Sequence, residues 1–353
     1  MKVLVAMSGG VDSSVAAGLL IEQGHDVVGA TLKLWGGVSD SGCCSVADVD
    51  DARRVAQTLG IDHHVFNYTD EFERHVVAPF VEGHARGQSP NPCIECNRHI
   101  KFDLLFDRAR RLGFDMVATG HHAQVVQRNA QHFLVRGADD QKDQSYVLGY
   151  LAEAQLSTLL LPIGAMNKSE VRQHAERLGL RTWDKPDSQD VCFIEASKGR
   201  EVFLRQRMAL TPAVIVDRSS GEELGRTESA ELMTVGQRRG VLPARDGERR
   251  FVSRVDLANH RVEVGRLEDI LIDAIALDAS SLTFSHAELV DATEVLAQWS
   301  AHGTPQIATL RHTDRWWLDL AEPARPVAAG QTVVFYRVND PVIVEGAAIV
   351  APS

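Results

Sequence analysis

Residues 8–14 form the first group that could do chemistry. They read Ser-Gly-Gly-Val-Asp-Ser-Ser and follow residues 3–6, a short apolar run long enough for one buried strand. Small apolar residues at helical spacing come next, which predicts a strand, a glycine turn and the start of a helix. Backbone N–H groups and the positive helix end meet in such a turn, so the stretch is expected to bind a phosphate. A strand-to-helix turn without a ligand is the alternative. No lysine follows the glycines, which distinguishes this loop from the GxxxxGK[ST] loop of other nucleotide-binding proteins.

Cysteines form the second reactive group. Cys43 and Cys44 are adjacent, Cys93 and Cys96 form a Cys-x-x-Cys pair, and Cys192 lies further along the chain. A structural disulfide framework is not expected in a cytosolic chain. Cys96 and Cys192 stand in polar stretches marked by Pro, Asn and Asp, so we interpret them as functional thiols rather than buried apolar side chains. The sequence assigns no role to Cys43 and Cys44.

Strands and helices alternate in the stretch that must position these residues. The predicted strands are 27–34, 63–68 and 116–119, and the predicted helices are 46–59, 72–86, 102–112 and 167–178. The last helix is expected to start at Asn167, which with Glu170 resembles a capping box. Residues 87–97 are expected to be irregular because they contain Pro90 and Pro92. The alternation predicts an α/β domain with a parallel sheet, in which ligands bind beyond the carboxyl ends of the strands. The loops at 8–14, 87–97 and Gly120–His121 are therefore expected to converge.

Short alternating strands replace this pattern from residue 206 onward. Residues 213–217, 251–257 and 261–265 read as strands, and residues 249–264 as a β-hairpin. The last stretch also consists mostly of predicted strands. The sequence thus predicts three domains, namely an α/β domain at 1–205, a small β-rich domain at 206–269 and a β-barrel at 270–353.

Charge is unevenly distributed along the chain. The net charge of −11 argues against a protein coated with basic surface, yet residues 200–266 carry +3, from thirteen arginines, ten carboxylates and no lysine. This stripe predicts a contact with nucleic-acid phosphates, or else an arginine-rich solvated face. No run of eighteen apolar residues and no signal-peptide pattern occurs, so a cytoplasmic protein without a membrane segment is expected.

Several motifs together resemble the tRNA-specific 2-thiouridylases of the N-type ATP pyrophosphatase superfamily. They are SGGVDSS at 8–14, PNPCIECN with IKF at 90–102, TGHHA at 119–123, KDQSYVL at 142–148, DSQDVCFI at 187–194, GQRRG at 236–240 and Gly330-Gln331. The resemblance implies an enzyme that uses ATP and Mg²⁺ to replace the 2-oxygen of the wobble uridine of tRNA with sulfur, releasing AMP and pyrophosphate. It also implies a PP-loop domain followed by a β-rich tRNA-binding domain and a barrel.

The resemblance further implies roles for individual residues. Cys96 is the expected nucleophile, Cys192 the persulfide carrier that forms a disulfide with it after sulfur transfer, and Asp12 a catalytic group near the metal or phosphates. ATP is expected on Ala6, Met7, Ser8, Gly9, Gly10, Val11, Asp12, Ser13, Leu32 and Gly120. The tRNA is expected on Asn91, Pro92, Cys93, His121, Lys142, Asp143, Gln144, Arg311 and Gln331, with the first three bordering the flipped-out base. Expected partners are the tRNAs for lysine, glutamate and glutamine and a sulfur donor such as a cysteine desulfurase or sulfur-relay protein.

The chain departs from the family pattern at two places. Many members have Asp where this chain has Cys93, and residues 309–312 read Thr-Leu-Arg-His where an Arg-Tyr-Arg run is common, so that only Arg311 is carried over. Cys93 leaves an alternative open, in which Cys93, Cys96 and Cys192 ligate a [4Fe–4S] cluster whose fourth iron binds the incoming sulfide. Zn²⁺ on the same thiolates is a third option.

The phosphate loop, considered without the cysteines, is also compatible with two other functions. One is a ligase or amidotransferase of the same superfamily, which adenylylates a carbonyl and adds nitrogen. The other is a nucleotide-binding regulator without turnover. Neither requires Cys96 and Cys192, which favours the thiolation enzyme.

Overall fold

A computed structural model describes residues 1–35, 46–187, 191–195, 197–241, 247–286 and 290–352. Cys43 and Cys44 lie outside these ranges. The strands are β1 (Lys2–Ala6), β2 (Asp26–Lys33), β3 (His63–Asn67), β4 (Met116–Ala118), β5 (Ala123–Arg128), β6 (Gln131–Arg136), β7 (Leu159–Leu160), β8 (Ala213–Asp217), β9 (Glu223–Thr227), β10 (Phe251–Asp256), β11 (Arg261–Gly265), β12 (Ile272–Leu277), β13 (Thr283–Phe284), β14 (Thr293–Gln298), β15 (Gln306–His312), β16 (Trp316–Ala324), β17 (Thr332–Arg337) and β18 (Asp340–Ile349).

Helices connect the strands of the first half of the chain. The α-helices are α1 (Val11–Glu22), α2 (Val46–Leu59), α3 (Thr69–Phe72), α4 (Ala78–Ala85), α5 (Pro92–Glu95), α6 (Leu105–Arg111), α7 (Glu153–Leu156), α8 (Lys168–Arg177), α9 (Gly199–Arg205) and α10 (Leu267–Ile270). The segments Glu73–Val77 and Cys96–Leu104 are π-helical, and Ser145–Leu148 and Ala230–Leu232 are 3₁₀ turns. Within the described ranges, none of these helices has the length and apolar character needed to cross a membrane.

The first sheet is parallel and carries the phosphate loop. Its strand order is β3-β2-β1-β4-β7, with β1 in the centre. Side chains alternate across β1, so Val3 and Val5 pack against Val15 of α1, whereas Leu4 packs on the other face against Ile100 and Leu105. Burial of both faces matches the continuous apolar run of this strand. The predicted α/β architecture with a parallel sheet is confirmed.

The expectation that residues 87–97 are irregular is wrong for their second half. Asn91 is the N-cap of α5, and its side-chain oxygen accepts the N–H of Cys93 at 3.1 Å. Pro92 occupies the first helical turn, where its missing N–H costs no hydrogen bond. The helix then runs through the π-helical segment into α6. Pro92 therefore begins a helix, and Cys93 and Cys96 lie in its first turns.

A small sheet with the order β10-β11-β8-β9 follows the α/β region. The predicted hairpin forms its antiparallel pair β10–β11. Val252, Val262 and Val264 are fully buried in its core. Arg250, which belongs to the arginine-rich stripe, is buried here and forms an ion pair with Asp217 at 3.1 Å.

The last sheet closes into a β-barrel, as predicted. Its order is β12-β16-β15-β14-β17-β18-β6-β5, with β13 also pairing with β18. A bridge between Leu277 and Val350 joins the end of β12 to the residue after β18. The hairpin β5–β6 comes from the α/β region and pairs with the barrel through Val135 and Ile343. The sequence did not predict this hairpin, which connects the α/β region to the barrel through the pairing of β6 with β18.

Candidate active site

The phosphate loop leads into α1 with an open helix end. Gly9 has φ of +74°, and a Cβ atom there would lie 2.3 Å from the carbonyl oxygen of Asp48 in α2, so only glycine fits. Gly10 is the N-cap of α1, and no side chain caps the helix. The Ser13 hydroxyl accepts the N–H of Ser8 at 3.1 Å and folds the loop back onto the helix. Uncapped N–H groups and the helix dipole favour an anion at this point.

Gly120 brings the loop after β4 against the phosphate loop. A Cβ atom at Gly120 would lie 2.5 Å from the backbone nitrogen of Ser13 and 2.6 Å from the carbonyl carbon of Asp12. Two of the three loops expected at the carboxyl edge of the sheet therefore touch through backbone atoms.

Asp12 is the centre of a charged network beside the loop. Its carboxylate accepts hydrogen bonds from Lys168 Nζ at 2.7 and 2.8 Å and lies 3.2 Å from His122 Nε2. Burial by itself would raise the pKa of Asp12, but the hydrogen bonds from His122 and Lys168 outweigh it and lower the pKa below its usual value. Asp12 is therefore ionised at neutral pH.

Asp187 extends this network away from the loop. Its carboxylate lies 2.8 Å from Lys168 Nζ, 2.7 Å from Lys142 Nζ and 3.4 Å from the Arg172 guanidinium. Burial raises the pKa of Asp187, but the two lysines dominate and lower it to about 2. Lys168 thus bridges two ionised carboxylates, that of Asp12 at the phosphate loop and that of Asp187.

Lys185 holds the loop from the opposite side. Its ammonium donates to the carbonyl oxygen of Gly9 at 2.9 Å and to Asp48 and Asp51 of α2, both at 2.8 Å. Burial would lower the pKa of Lys185, but the two carboxylates raise it, so the ammonium stays charged. It fixes the first turn of α2 over the glycine turn.

Sequence reasoning missed four members of this site. They are His122, Lys168, Lys185 and Asp187, and each lies in or beside a stretch that the sequence analysis had already singled out. Lys168, for example, is the first helical residue after the predicted N-cap Asn167, whose capping box with Glu170 is present. The sequence showed where this helix begins, but it did not show that Lys168 reaches Asp12, which lies 156 residues away in the chain.

Cys96 and Cys192 lie in the same apolar cluster. Cys96 is buried, and the half-buried Cys192 packs against the cluster, which also contains Leu32 of β2 and Phe193. Ala6, the last residue of β1, packs against it too. The structure thus places both predicted reactive cysteines in the apolar cluster that packs on the Leu4 face of the parallel sheet.

Cys93 differs from these two because it is exposed. Within the described ranges, no three His, Cys, Asp or Glu side chains are placed so that they could hold a metal ion. This conformation therefore does not gather Cys93, Cys96 and Cys192 as a ligand set for a cluster or for zinc.

The predicted tRNA residues near the loop are engaged within the protein. His121 is only 8 % exposed, and its Nδ1 lies 2.7 Å from the Thr119 hydroxyl. Burial lowers the pKa of His121 well below its usual value, so the ring is neutral. Gln144 accepts the backbone N–H of His122 at 2.9 Å. Contact of His121 and Gln144 with tRNA stays a prediction.

Asp143 and Lys142 are likewise bonded to neighbouring groups. Asp143 forms an ion pair with Arg136 at 2.9 Å and accepts the backbone N–H groups of Gly137 and Ser145. Lys142 is bound to Asp187. These bonds shape the loop between β6 and the 3₁₀ turn that follows it. A tRNA contact of these two residues stays a prediction as well.

The remaining predicted residues lie on different surfaces. Asn91 caps α5 and Pro92 is buried behind the exposed Cys93. Arg311 is exposed on β15 of the barrel, with a long contact of 3.6 Å to Asp319. Gln331 donates its side-chain amide to the carbonyl oxygen of Ser89. The structure therefore places Arg311 on the barrel and ties Gln331 to the segment before the cysteine helix.

A parallel sheet whose central strand leads through a glycine turn into α1, with no lysine after the glycines, is the arrangement of the PP-loop class of nucleotide-binding proteins. Residues 1–196 match the family described as the tRNA methyl transferase HUP domain, and residues 201–266 match the tRNA methyl transferase PRC-barrel domain. The chain is 45% identical over 350 residues to the tRNA-specific 2-thiouridylase MnmA of Chloroflexus aurantiacus, covering 95% of each chain. It is 42% identical over 348 residues to the enzyme of Rhodococcus jostii, covering 96% of this chain and 94% of that one.

The chain belongs to the family of tRNA-specific 2-thiouridylases, which confirms the resemblance seen in the sequence motifs. Among solved structures, it is also similar to a 4-thiouridine synthetase–RNA complex with bound ATP. That similarity has 17% sequence identity and a TM-score of 0.38, and it covers 54% of this chain and 44% of the other.

Replacing Lys168 with methionine is expected to weaken ATP binding by about tenfold to a hundredfold, the range for a lost hydrogen bond to a charged group. Lys168 is paired with Asp12 of the phosphate loop and also with Asp187, so its ammonium can turn from Asp12 to a phosphate while Asp187 still holds it. Calorimetric titration with ATP measures the effect. Lys198→Met is the matched control, because Lys198 is exposed and also forms an ion pair with a carboxylate, that of Glu195. Unchanged ATP affinity in Lys168→Met would show that Lys168 only neutralises Asp12.

Proposed function

We propose that this protein replaces the 2-oxygen of the wobble uridine of tRNA with sulfur, in a reaction that consumes ATP and releases AMP and pyrophosphate. The observation that carries the proposal is that Cys96 and Cys192 share one apolar cluster, against which Ala6 at the end of β1, the strand that leads into the phosphate loop, also packs. A nitrogen-adding ligase or a nucleotide sensor gains nothing from two thiols at that position.

The phosphate loop would hold the β- and γ-phosphates of ATP on the backbone N–H groups of residues 8–13. Asp12 fits as the single protein carboxylate of a Mg²⁺ ion that takes its other ligands from phosphates and water. Bound there, Mg²⁺ would offset the charge that develops on the phosphates. Lys168 would turn from Asp12 toward a phosphate oxygen and keep its contact with Asp187. The uridine 2-oxygen then attacks the α-phosphorus, forming a P–O bond as pyrophosphate leaves.

The sulfur step follows from the two thiols. A persulfide on Cys192 forms a carbon–sulfur bond to C2 of the adenylylated uridine, and AMP leaves with the original oxygen. The Cys96 thiolate attacks Sγ of Cys192, which forms a Cys96–Cys192 disulfide and releases the thiolated base, with one proton returned to the uridine ring. An external thiol must reduce this disulfide before the next turnover. The half-buried Cys192 is accessible enough to receive sulfur from a desulfurase or relay protein.

We assign part of the tRNA surface to the arginine-rich stripe, whose arginines differ in their contacts. Several of its arginines form ion pairs with carboxylates, namely Arg205, Arg226, Arg250, Arg254, Arg261 and Arg266. Arg238 and Arg239 are exposed in the GQRRG turn instead. We assign phosphate contacts to this turn because Arg238 and Arg239 are both exposed there.

Replacing Arg238 and Arg239 together with alanine is expected to lower tRNA affinity and to reduce the slope of log K against log salt by about two. Fluorescence titrations of tRNA at several salt concentrations give the slope. The control is Arg205→Ala with Arg226→Ala, which removes the same charge from residues already paired with Glu201 and Glu223. Equal slopes for the two double variants would assign Arg238 and Arg239 to the solvated face.

The proposed activity is tested with purified enzyme, unmodified tRNA, ATP, a cysteine desulfurase with L-cysteine as the source of persulfide sulfur, and an external thiol that reduces the Cys96–Cys192 disulfide. Nucleoside mass spectrometry of the digested tRNA is expected to show 2-thiouridine at the wobble position, and the nucleotide products are expected to be AMP and pyrophosphate. ADP and orthophosphate, or a tRNA without sulfur, would contradict the proposal.

A further inference from the structure

His122 is a buried side chain next to Asp12 of the phosphate loop. The exposed fraction of the His122 side chain is 4 %, whereas that of Asp12 is 30 %. The Nε2 atom of His122 lies 3.2 Å from Oδ1 of Asp12. A ligand that enters the site can therefore reach the carboxylate of Asp12, whereas the His122 ring is shielded from it.

The backbone of His122 is fixed on both sides of its Cα atom. The side-chain oxygen of Gln144 accepts the N–H of His122 at 2.9 Å, and the backbone N–H of Gln144 donates to the carbonyl oxygen of His122 at 2.8 Å. A Cβ atom at Gly137 would lie 2.5 Å from that carbonyl oxygen, so the chain at Gly137 packs directly against it. Two residues before His122, Gly120 touches the backbone of the phosphate loop. The His122 ring is thus held at a set position relative to Asp12.

The two ring nitrogens of His122 have different surroundings. Nδ1 is buried and has no hydrogen-bond partner in the described part of the chain, whereas Nε2 lies beside a carboxylate oxygen. A proton on Nε2 forms a hydrogen bond to Asp12. A proton on Nδ1 instead would be buried without an acceptor and would leave the Nε2 lone pair facing a negative charge. The ring therefore donates to Asp12 through Nε2.

The two oxygens of the Asp12 carboxylate are bonded differently. Oδ1 accepts from both His122 and Lys168, whereas Oδ2 is bonded only to Lys168 among the described residues, at 2.8 Å. When Lys168 turns to a phosphate, as proposed above, Oδ1 stays bonded to His122 and Oδ2 is left for Mg²⁺. The terminal torsion of an aspartate has broad minima, so without this bond the carboxylate would take several orientations.

We propose that His122 is a positioning residue, which holds Oδ1 of Asp12 so that Oδ2 faces the Mg²⁺ ion of bound ATP. His122 acts through Asp12 and makes no contact with the metal ion itself. The inference rests on the proposed function, because that function assigns Asp12 to the metal ion.

Nuclear magnetic resonance of protein with ¹⁵N-labelled histidine tests the contact without ATP or tRNA. The His122 side chain, assigned by the loss of its signals in His122→Gln, is expected to carry its proton on Nε2. Its Nε2 resonance is expected to shift in Asp12→Ala. A ring with its proton on Nδ1, or an Nε2 resonance that Asp12→Ala leaves unchanged, would overturn the inference, whatever the activity of the enzyme.

Calorimetric titration with ATP tests the role of the contact. With Mg²⁺ present, His122→Phe is expected to weaken ATP binding about tenfold, as for one lost hydrogen bond to a charged group. Without Mg²⁺, its affinity is expected to stay within about twofold of the wild-type value, because only the metal ion depends on the orientation of Asp12. His122→Gln is expected to bind Mg²⁺ and ATP like the wild type, since its amide places a donor near the position of Nε2. The shorter amide of His122→Asn is expected to behave like His122→Phe.

His84→Phe is the matched control for the loss of a buried imidazole. His84 is also buried, with Nδ1 bonded to the carbonyl oxygen of Phe80 at 2.9 Å and Nε2 without a partner in the described ranges. This variant is expected to leave the effect of Mg²⁺ on ATP affinity unchanged. An equal loss of affinity in His122→Phe with and without Mg²⁺, or an equal loss in His122→Gln and His122→Phe, would make the ring a packing group only. A wild-type enzyme that binds ATP with this Mg²⁺ dependence but leaves tRNA without sulfur would contradict the proposed function and not this inference.

Discussion

Cys96→Ala and Cys192→Ala are each expected to lose tRNA thiolation on the order of 10⁴-fold or more, as for a lost covalent nucleophile. In the proposed mechanism, Cys192 carries the persulfide and Cys96 releases the sulfur from Cys192, so the loss of either thiol stops the transfer. Both residues pack in the cluster beside β1 and β2, so removal of one sulfur atom is expected to cost only about 1 kcal/mol of stability. Single-turnover assays with persulfide-loaded enzyme and nucleoside mass spectrometry measure the loss.

Cys93→Ala is the matched control for the cysteine variants. Cys93 is exposed and lies outside the cluster, so the persulfide route predicts an iron-free Cys93→Ala enzyme that still thiolates tRNA. Anaerobic purification with iron and sulfide analysis separates this route from the cluster. A brown protein that loses iron and activity together in Cys93→Ala would establish the [4Fe–4S] alternative.

Asp12→Ala is expected to lower the formation of AMP and pyrophosphate by about 10³-fold, because the proposed Mg²⁺ would then lose its protein carboxylate. The fold should persist, since Asp12 sits at the first turn of α1 and Lys168 keeps its ion pair with Asp187. Pyrophosphate release with tRNA and ATP measures the effect, and circular dichroism checks the fold.

Asp107→Ala is the control for Asp12→Ala. Asp107 also pairs with two cations, Arg110 and Arg111, but it lies on the surface of α6. Its loss should leave pyrophosphate release unchanged. Pyrophosphate release at the wild-type rate in Asp12→Ala would show that Asp12 takes no part in the reaction. The network with Lys168 and His122 would then only stabilise the fold.

The sequence by itself determined the features that depend on a few neighbouring residues. The glycine turn at residues 8–10, the capping box of Asn167 and Glu170 and the hairpin β10–β11 are all present as expected. Their conformations follow from local backbone preferences and from hydrogen bonds within a few positions. The order of the motifs likewise sufficed to recognise the family.

Only the tertiary structure decided which distant side chains meet. Lys168 reaches Asp12 across 156 residues, Gln331 reaches Ser89 across 242, and β6 joins the barrel at β18. Even Pro92 was ambiguous, because proline both interrupts a helix and begins one, and the cap supplied by Asn91 selects the second outcome. Local backbone preferences cannot determine these contacts between distant residues, because each contact depends on how whole sheets and helices pack against one another. The active site combines both kinds of information, with a locally encoded phosphate loop and a globally assembled set of charges and thiols.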